Sequence, residues 1–465
     1  MAETKENSQV QDEKGNLYTL KRLIGRGGQG VVWEAKEGNF AIKLCRPGGT
    51  SRQQLTRKMM SLRTLDLDTL PISSPLAVLK DPVVGYVMHL VRGLQPISAL
   101  MRYSAKCGLS TTEWYRTTGG LRWRLHVLSS VAEVLARLHG KGLAYGDPSP
   151  ANLLVPPSPA DEPKVFFIDA DNLCAFAQAG SHFIFTPGYG APEVVAGHHG
   201  ISTLSDVHAF AVIAYQVLTT NHPFVGDDVH DGDPDGEDEA FAGRLPWVGH
   251  STDTSNRCSR GIQIDKVLSP RLKDLFQQAF EEGLSDPKRR PGMGTWAEVL
   301  LRAADATLIC QKCESGFYFK PDACPWCGTS APVKRMARFQ LWDPHVCPSG
   351  EGGNFVKGPD GKDKTTWGVA LQDGVQGKLR KRHFFNDATE SPDQVICEVV
   401  LTRKGAEIRN LSTTPLFARS FSSDERHAEK VIHPDMQITL PADGKEPLWF
   451  LQARGVGELQ QSVRF

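Results

Sequence analysis

Apolar positions along the chain change their period twice. Between residues 17 and 92 they form short runs: LYTLKRLIG, VVWEAK and NFAIKL, then two more over about 76–92. Short apolar runs bounded by turn residues predict strands, the second and third joined at Glu37-Gly38-Asn39. The polar stretch SRQQLTRKMMSLRTL between them has no Gly or Pro and predicts a helix. From Leu121 the spacing turns helical, with Leu125, Leu128, Ala132, Leu135 and Leu138 in phase and Gly140 as a stop. The chain to about 305 reads as mainly helical, with loops at 156–163 and 226–240. From about 367 strand-like runs return in QVICEVVLT, AEIRNLS, MQITLP and PLWFLQA. Strands followed by helices predict two lobes, and the later strands predict a separate all-β domain. Residues 1–16 read as a disordered leader, and 331–366, with its glycine-rich run SGEGGNFVKGPDGKDKTT, as a linker or long loop.

Composition narrows the picture. A length of 465 residues allows two to four domains. Lys+Arg and Asp+Glu are both 53, which argues against a basic nucleic-acid coat, so no nucleic-acid partner is expected. No apolar run reaches the roughly 18 residues of a membrane span, and the polar start lacks a signal-peptide core. Four of the ten cysteines form one cluster, which suits a reducing compartment; a cytoplasmic location is expected.

Gly25-x-Gly27-x-x-Gly30-x-Val32 bridges the first two strands. Glycine lets backbone amides approach phosphate oxygens, but a glycine-rich hairpin alone explains the motif equally well. A strand follows it, which favours a flap over ATP rather than a dinucleotide site. Lys43, in AIK on the third strand, is costly to bury without anions, and nucleotide phosphates are suitable ones. YGDPSPAN (145–152) carries Asp147 and Asn152, and FFID places Asp169 at the end of an apolar run. TPGYGAPE (186–193), SDVHAFA (205–211) and DPKRRP (286–291) follow.

In this order the motifs resemble the eukaryotic-type Ser/Thr protein kinase family over about 17–302. The resemblance implies an α+β, bilobal protein-kinase fold over 17–305, with an N-lobe of about 17–92 and a C-lobe of about 93–305. It implies that Gly25, Gly27, Gly30 and Val32 cover the nucleotide and that Lys43 holds its α- and β-phosphates. Asp147 would orient the attacking hydroxyl, and Asn152 and Asp169 would hold magnesium. Thr186 matches the pattern for Ser or Thr acceptors, Glu193 and Arg290 a buried ion pair, and Asp206 a brace of the catalytic loop. Met88 fits either the back of the adenine pocket or plain core packing.

The pattern also departs from the family. No acidic residue occurs between Lys43 and Asp66, so the family's helix glutamate is missing, and Lys43 is expected to find Asp169, phosphates or water. Tyr145-Gly146 replaces His-Arg, which removes the reader of an activation-segment phosphate. Activity is therefore expected not to depend on phosphorylation of Ser181 or Thr186. Ser149 replaces a lysine, and Asp169-Ala170-Asp171 replaces Asp-Phe-Gly. The missing glutamate favours a nucleotide-binding pseudokinase or scaffold; the retained Lys43, Asp147, Asn152 and Asp169 favour an active Ser/Thr kinase. YGDPSPAN, IDADN and RLPWVG resemble a divergent bacterial group. Its members occur beside metal-dependent protein phosphatases and von Willebrand A-type proteins, which the resemblance suggests as partners.

Cys310-x2-Cys313 and Cys324-x2-Cys327 lie ten residues apart within 306–330. Two such knuckles can close a tetrahedron of thiolates around structural zinc, and the segment resembles a zinc ribbon. Disulfides or a redox CxxC are the alternatives. Cys45, Cys107, Cys174, Cys258, Cys347 and Cys397 read as ordinary small hydrophobes. Residues 367–465 fit a β-sandwich for protein contacts. Ile408–Ser412 faintly resembles a forkhead-associated domain, a phosphothreonine reader, but its arginine and Ser-x-x-His signature is missing. GKLRKRH (377–383) reads as a solvated turn and DDVHDGDPDGEDE (227–239) as a mobile acidic loop.

Overall fold

A computed structural model describes residues 5–28, 30–46, 51–65, 67–159, 163–175, 185–232, 235–343, 354–385, 392–403, 405–421, 429–441, 448–453 and 460–464. Ser181 and Cys347 lie outside them. The chain divides into two compact units. The first holds residues 1–119 and 123–300, the second 120–122 and 301–465. None of the described helices is long and apolar enough to cross a membrane.

The first unit begins with strands β1 (Gln9–Gln11), β2 (Leu17–Arg26), β3 (Gly30–Ala35) and β4 (Phe40–Cys45). Helix α1 (Arg52–Arg63) and strands β5 (Pro75–Val78) and β6 (Gly85–His89) follow, and the six strands form one sheet in the order β1-β2-β3-β4-β6-β5. Ser51 and Gln54 close a capping box at the start of α1. Leu55, Met59 and Leu62 recur at helical spacing and are buried. The expectation of a disordered leader over 1–16 is corrected by β1 for the described residues 5–16. Val10 is buried beside Tyr18 and Leu20, and Glu13 and Lys80 amides bond across to Val78 and Gln11 carbonyls at 2.8 and 2.7 Å. This pairing joins the two outer strands and so covers both sheet edges. Burial pushes the Asp12 carboxyl up, but hydrogen bonds from Asn16, Tyr18 and Lys14 outweigh it and hold it below the usual carboxylate value.

The remainder of this unit is mainly helical. It contains β7 (Gln95–Pro96), α2 (Thr111–Thr117), α3 (Gly120–Gly140), β8 (Leu143–Ala144), β9 (Leu153–Val155), β10 (Phe166–Phe167) and β11 (Cys174–Ala175). Then come α4 (Pro192–Val195), α5 (Thr203–Thr219), α6 (Asp227–Asp231) and α7 (Asp235–Phe241). The last are α8 (Ile264–Val267), α9 (Pro270–Gln277), α10 (Gly283–Ser285) and α11 (Met293–Asp305), whose final turn counts with the second unit. Helix α5 is buried almost all round, so it is a core helix. Trp247, Phe276, Phe280 and Trp296 are wholly buried and pack ring to ring with Tyr215 and Phe210. The acidic stretch expected as a loop forms α6 and α7 instead, because Ser259, Arg260 and Arg244 hold Asp227, Asp231 and Glu239.

The second unit opens with the hairpin β12 (Thr307–Ile309) and β13 (Gly316–Tyr318). Strands β14 (Lys334–Asp343), β15 (Asn354–Phe355), β16 (Thr365–Gln372) and β17 (Gln376–Arg380) lead to helix α12 (Lys381–Phe384). The chain continues through β18 (Val395–Thr402), β19 (Gly405–Asn410), β20 (Leu416–Phe421), β21 (Glu429–Ile432), β22 (Gln437–Pro441), β23 (Leu448–Ala453) and β24 (Gln460–Arg464). A seven-stranded sheet runs β15-β14-β24-β23-β20-β21, with β16 also on β14, and a four-stranded sheet runs β17-β18-β19-β22. Inward residues of both share one core, including Phe339, Leu371, Val399, Ile408 and Leu451. The linker expected over 331–366 is corrected for the described part, residues 344–353 lying outside it: Ala337, Phe339 and Leu341 alternate into the core, so the β-rich domain starts at β14 rather than at 367. GKLRKRH is not a solvated turn. Asp305 bonds Arg382 and His383 at 3.1 and 3.0 Å, which turns both inward.

Candidate active site

Two short strand pairs present the loop of interest. Strand β8 pairs β11 and β9 pairs β10, which places Asp147 and Asn152 on one connection and Asp169 just past β10. The connection is held from beneath by Asp206, which is wholly buried on α5. Its carboxylate accepts the Tyr145 and Gly146 amides at 2.7 and 2.9 Å, and His139 Nε2 lies 3.0 Å away. The Asn152 side chain donates to the Asp147 carbonyl at 3.1 Å, and the Ile168 amide donates to the Asn152 carbonyl at 3.0 Å. Asn152 is thus fastened beside the residue that precedes Asp169. Glu193 and Arg290 form a bidentate pair at 2.6 and 2.7 Å, with the Arg290 side chain fully buried.

Lys43 is buried on β4 and forms an ion pair with Asp169. Asp169 takes the left-handed conformation, φ +66°, which an aspartate tolerates better than most residues. Asp147 accepts from the Thr186 amide at 2.9 Å and from the Thr186 hydroxyl at 2.9 and 3.0 Å. Burial raises the Asp147 carboxyl above its usual value, the Thr186 bonds oppose this, and the Asp169 and Asp206 charges add to it. Lys43, Asp147, Asn152 and Asp169 therefore converge. Gly25, Gly27, Gly30 and Val32 lie on the β2–β3 hairpin, with Gly25 paired to Val32 and Val32 to Lys43. A side chain at Gly30 would collide with the Leu44 carbonyl, whereas Gly27 faces open space. Met88 sits in a buried cluster with Ala41, Leu55 and Met59, which favours core packing over an exposed pocket wall.

The departures acquire physical reasons. Gly146 has φ +92°, and a Cβ there would lie 2.6 Å from the Asn172 carbonyl oxygen, so an arginine cannot enter without rebuilding the loop. Tyr145, in place of the histidine, donates its hydroxyl to the Ile168 carbonyl and packs edge-on against Phe167. Ala170 and Ser149 are both buried.

Two supports carry no motif. Glu34 is almost fully buried and receives Lys21, Arg22 and Arg92 at 3.1, 2.5 and 2.9 Å. These hydrogen bonds, Arg22 foremost, pull its carboxyl down to about 2. His222 Nε2 lies 2.9 Å from the Gly188 carbonyl, two residues after Thr186, while Nδ1 accepts the Phe224 amide at 3.3 Å. Burial pushes the His222 imidazole down to about 4, so it is neutral with Nε2–H as donor. Opposite charges at neighbouring strand positions hint at Glu34 in the sequence; nothing local marks His222.

Cys310, Cys313, Cys324 and Cys327 form one cluster whose sulfurs all lie within 4.8 Å. The two knuckles repeat one geometry. Glu314 and Gly328 take positive φ of 57° and 71°, and their amides return to the Cys310 and Cys324 carbonyls at 2.9 Å each. Sγ–Sγ distances of 3.6 Å (Cys310–Cys327) and 3.7 Å (Cys313–Cys324) match the ~3.8 Å edge of a tetrahedron with ~2.3 Å metal–sulfur bonds. The Thr329 hydroxyl and amide pull the Cys327 thiol down to about 6. Cys174 and Cys397 are buried, Cys45 and Cys258 half-buried, and Cys107 exposed.

Comparison with known proteins agrees with this geometry. The protein kinase domain family matches residues 18–300, more than half of the chain. The Streptomyces coelicolor serine/threonine-protein kinase PkaB is 29% identical over 46% of this chain and 51% of its own length. Serine/threonine-protein kinase PknA of Mycobacterium tuberculosis is 28% identical over 45% of this chain and 48% of its own. The corresponding figures for Chlamydia pneumoniae PknD are 25%, 44% and 24%. The chain thus spans about half the length, or less, of these curated relatives. With the motif order, the bilobal unit and the convergent Lys43, Asp147, Asn152 and Asp169 all in agreement, the chain belongs to the protein kinase family.

Proposed function

We propose that this chain is a Ser/Thr protein kinase that moves the γ-phosphoryl group of ATP to hydroxyls of protein substrates. The observation that carries the reading is the Lys43–Asp169 ion pair beside a braced Asp147. Lys43 would hold the α- and β-phosphates under the Gly25–Val32 flap. The Thr186 hydroxyl, within 3.0 Å of both Asp147 oxygens, marks where an acceptor hydroxyl would sit and give up its proton. Asn152 and Asp169 offer an amide and a carboxylate oxygen, hard donors suited to magnesium, which when bound would offset charge between the phosphates. The chain's own contribution is positioning and electrostatics.

The four cysteines fit structural zinc, leaving no open coordination position. The β-sandwich is then a protein-binding module. A metal-dependent phosphatase and a von Willebrand A-type protein are partner proposals that rest on the family resemblance.

A second reading, a nucleotide-binding scaffold, is favoured by helix α1, which carries no acidic residue. Intact-mass measurement after incubation with Mg-ATP separates the two. Added phosphate on the wild type or a co-incubated protein, lost in Asp147→Asn and Asp169→Asn, is the expected result. Nucleotide binding without transfer would establish the scaffold instead.

A further inference from the structure

Strand β3 alternates two faces beyond the last flap glycine, Gly30. Val31, Trp33 and Ala35 pack with the cluster of Leu20, Ile42 and Val87, so Val32 and Glu34 face the other way. In the β3–β4 ladder Val32 lies opposite Lys43 and Glu34 opposite Ala41. Glu34 therefore shares the face that carries the candidate phosphate ligand. Strand β6 leads into residues 90–94, through which the chain passes from the six-stranded sheet to β7 and the helical part. Leu90 of this connection and Val32 of the flap pack against one cluster, that of Ala41 and Met88.

Side chains fasten the connection to the hairpin. Arg92 Nη2 lies 2.9 Å from Glu34 Oε1, and Arg92 Nε donates to Asn39 Oδ1 at 3.0 Å. Asn39 Nδ2 donates to the Leu90 carbonyl at 3.1 Å, and the Leu90 amide to the Asn39 carbonyl at 2.9 Å. Lys21 and Arg22 meet the same Glu34 carboxylate from β2. Strands β2 and β3 are already joined by a backbone ladder, whereas Arg92 adds a link from β3 to the connection. The Glu34 side chain is 1% exposed, so this carboxylate is shielded and its partners are screened less than a surface pair would be.

We infer that Glu34 and Arg92 are positioning residues for nucleotide binding: their ion pair holds the flap hairpin against the connection between the lobes and so sets the flap over the cleft. This rests on the proposed reading of Lys43 and the flap as the nucleotide site. A flap held in place beforehand loses less freedom when the nucleotide arrives. Charge alone acts the other way, because cations released from Glu34 would attract phosphate.

The test is titration of the full chain with Mg-ADP, which needs no transfer activity. Arg92→Met and Glu34→Gln should each weaken binding about fivefold. The double variant should be no weaker than either alone, because both changes remove one contact. Arg92→Lys keeps the charge and should bind within about twofold of wild type. Lys21→Met removes a cation from the β2 side only and should also stay within about twofold. Arg92 is half exposed, so its truncation opens no cavity in the core. Unchanged or tighter binding by Arg92→Met or Glu34→Gln would overturn the inference. So would losses that multiply in the double variant, or a loss in Arg92→Lys as large as in Arg92→Met. A loss in Lys21→Met equal to that in Glu34→Gln would reduce Glu34 to a tie within the sheet and overturn it too. Absence of nucleotide uptake by the wild type would instead overturn the site reading on which it rests.

Discussion

The loop that carries Asp147 and the two cysteine knuckles are both short and irregular, yet they are held in opposite ways. The loop hangs on buried protein groups: the Asp206 carboxylate below, Tyr145 against Phe167 behind, and α5 in the core. Each knuckle bonds mainly to itself, and its apolar support comes from a small set including Leu308, Phe317 and Ala370. A region with a large core can hold polar groups in place before any ligand arrives. A segment of this size with a small core would draw much of its cohesion from the zinc proposed for it.

Removing the metal should have the largest effect and should separate the two regions. One zinc per chain is expected by elemental analysis, with structural zinc worth on the order of 10 kcal/mol to such a fold. Chelation or Cys310→Ser should accelerate amide exchange across 307–331 and leave 123–155 unchanged; equal protection after chelation would contradict the comparison. Next comes Arg290→Met, which strands the Glu193 carboxylate and should destabilise the first unit by about 3–5 kcal/mol in denaturant titration. A loss below about 1 kcal/mol would mean that the pair is not a structural tie.

The third effect is set by pH. His222 is held down to about 4 in the fold, against about 6.5 when unfolded, so the unfolded chain takes the proton first. Its contribution is complete above pH 6.5 and is lost as pH falls toward 4, on the order of 2–3 kcal/mol. His208, also pushed down by burial, acts in the same direction. His222→Gln should flatten the fall in melting temperature across that window, and an unaltered slope would exclude His222 as its source. Smallest of all should be the response to phosphorylation. A phosphate on Thr186 would place negative charge against Asp147, and Gly146 offers no arginine to receive one on Ser181. Phosphatase-treated protein should retain activity within about twofold, and a large loss would show that the reader lies elsewhere.

Much of the fold can be read from pattern. The runs at LYTLKRLIG, VVWEAK and NFAIKL become β2, β3 and β4, and the leucine spacing from Leu121 becomes α3. Strand β1 escapes that reading because QVQ has one apolar residue, and its burial depends on partners at Tyr18 and Val78. Strand β14 carries the alternation Ala337, Phe339, Leu341, yet the polar Arg338 and Gln340 between them and the glycine-rich run behind make it resemble a linker. The acidic stretch became helical because its bases, Arg244 and Arg260, lie outside it.

The order of residue types alone determined the kinase family, and it singled out both the residues that the fold brings together around Lys43 and the four cysteines that cluster. Those signals are local, because glycine spacing, paired cysteines and a lysine on an apolar strand each encode chemistry within a few positions. Tertiary structure alone decided what stands beside Lys43, why residue 146 must be glycine, and how His222 steadies the Gly188 turn. These depend on side chains that meet only after the chain has closed, where burial makes each hydrogen bond and charge count for more than it does in water.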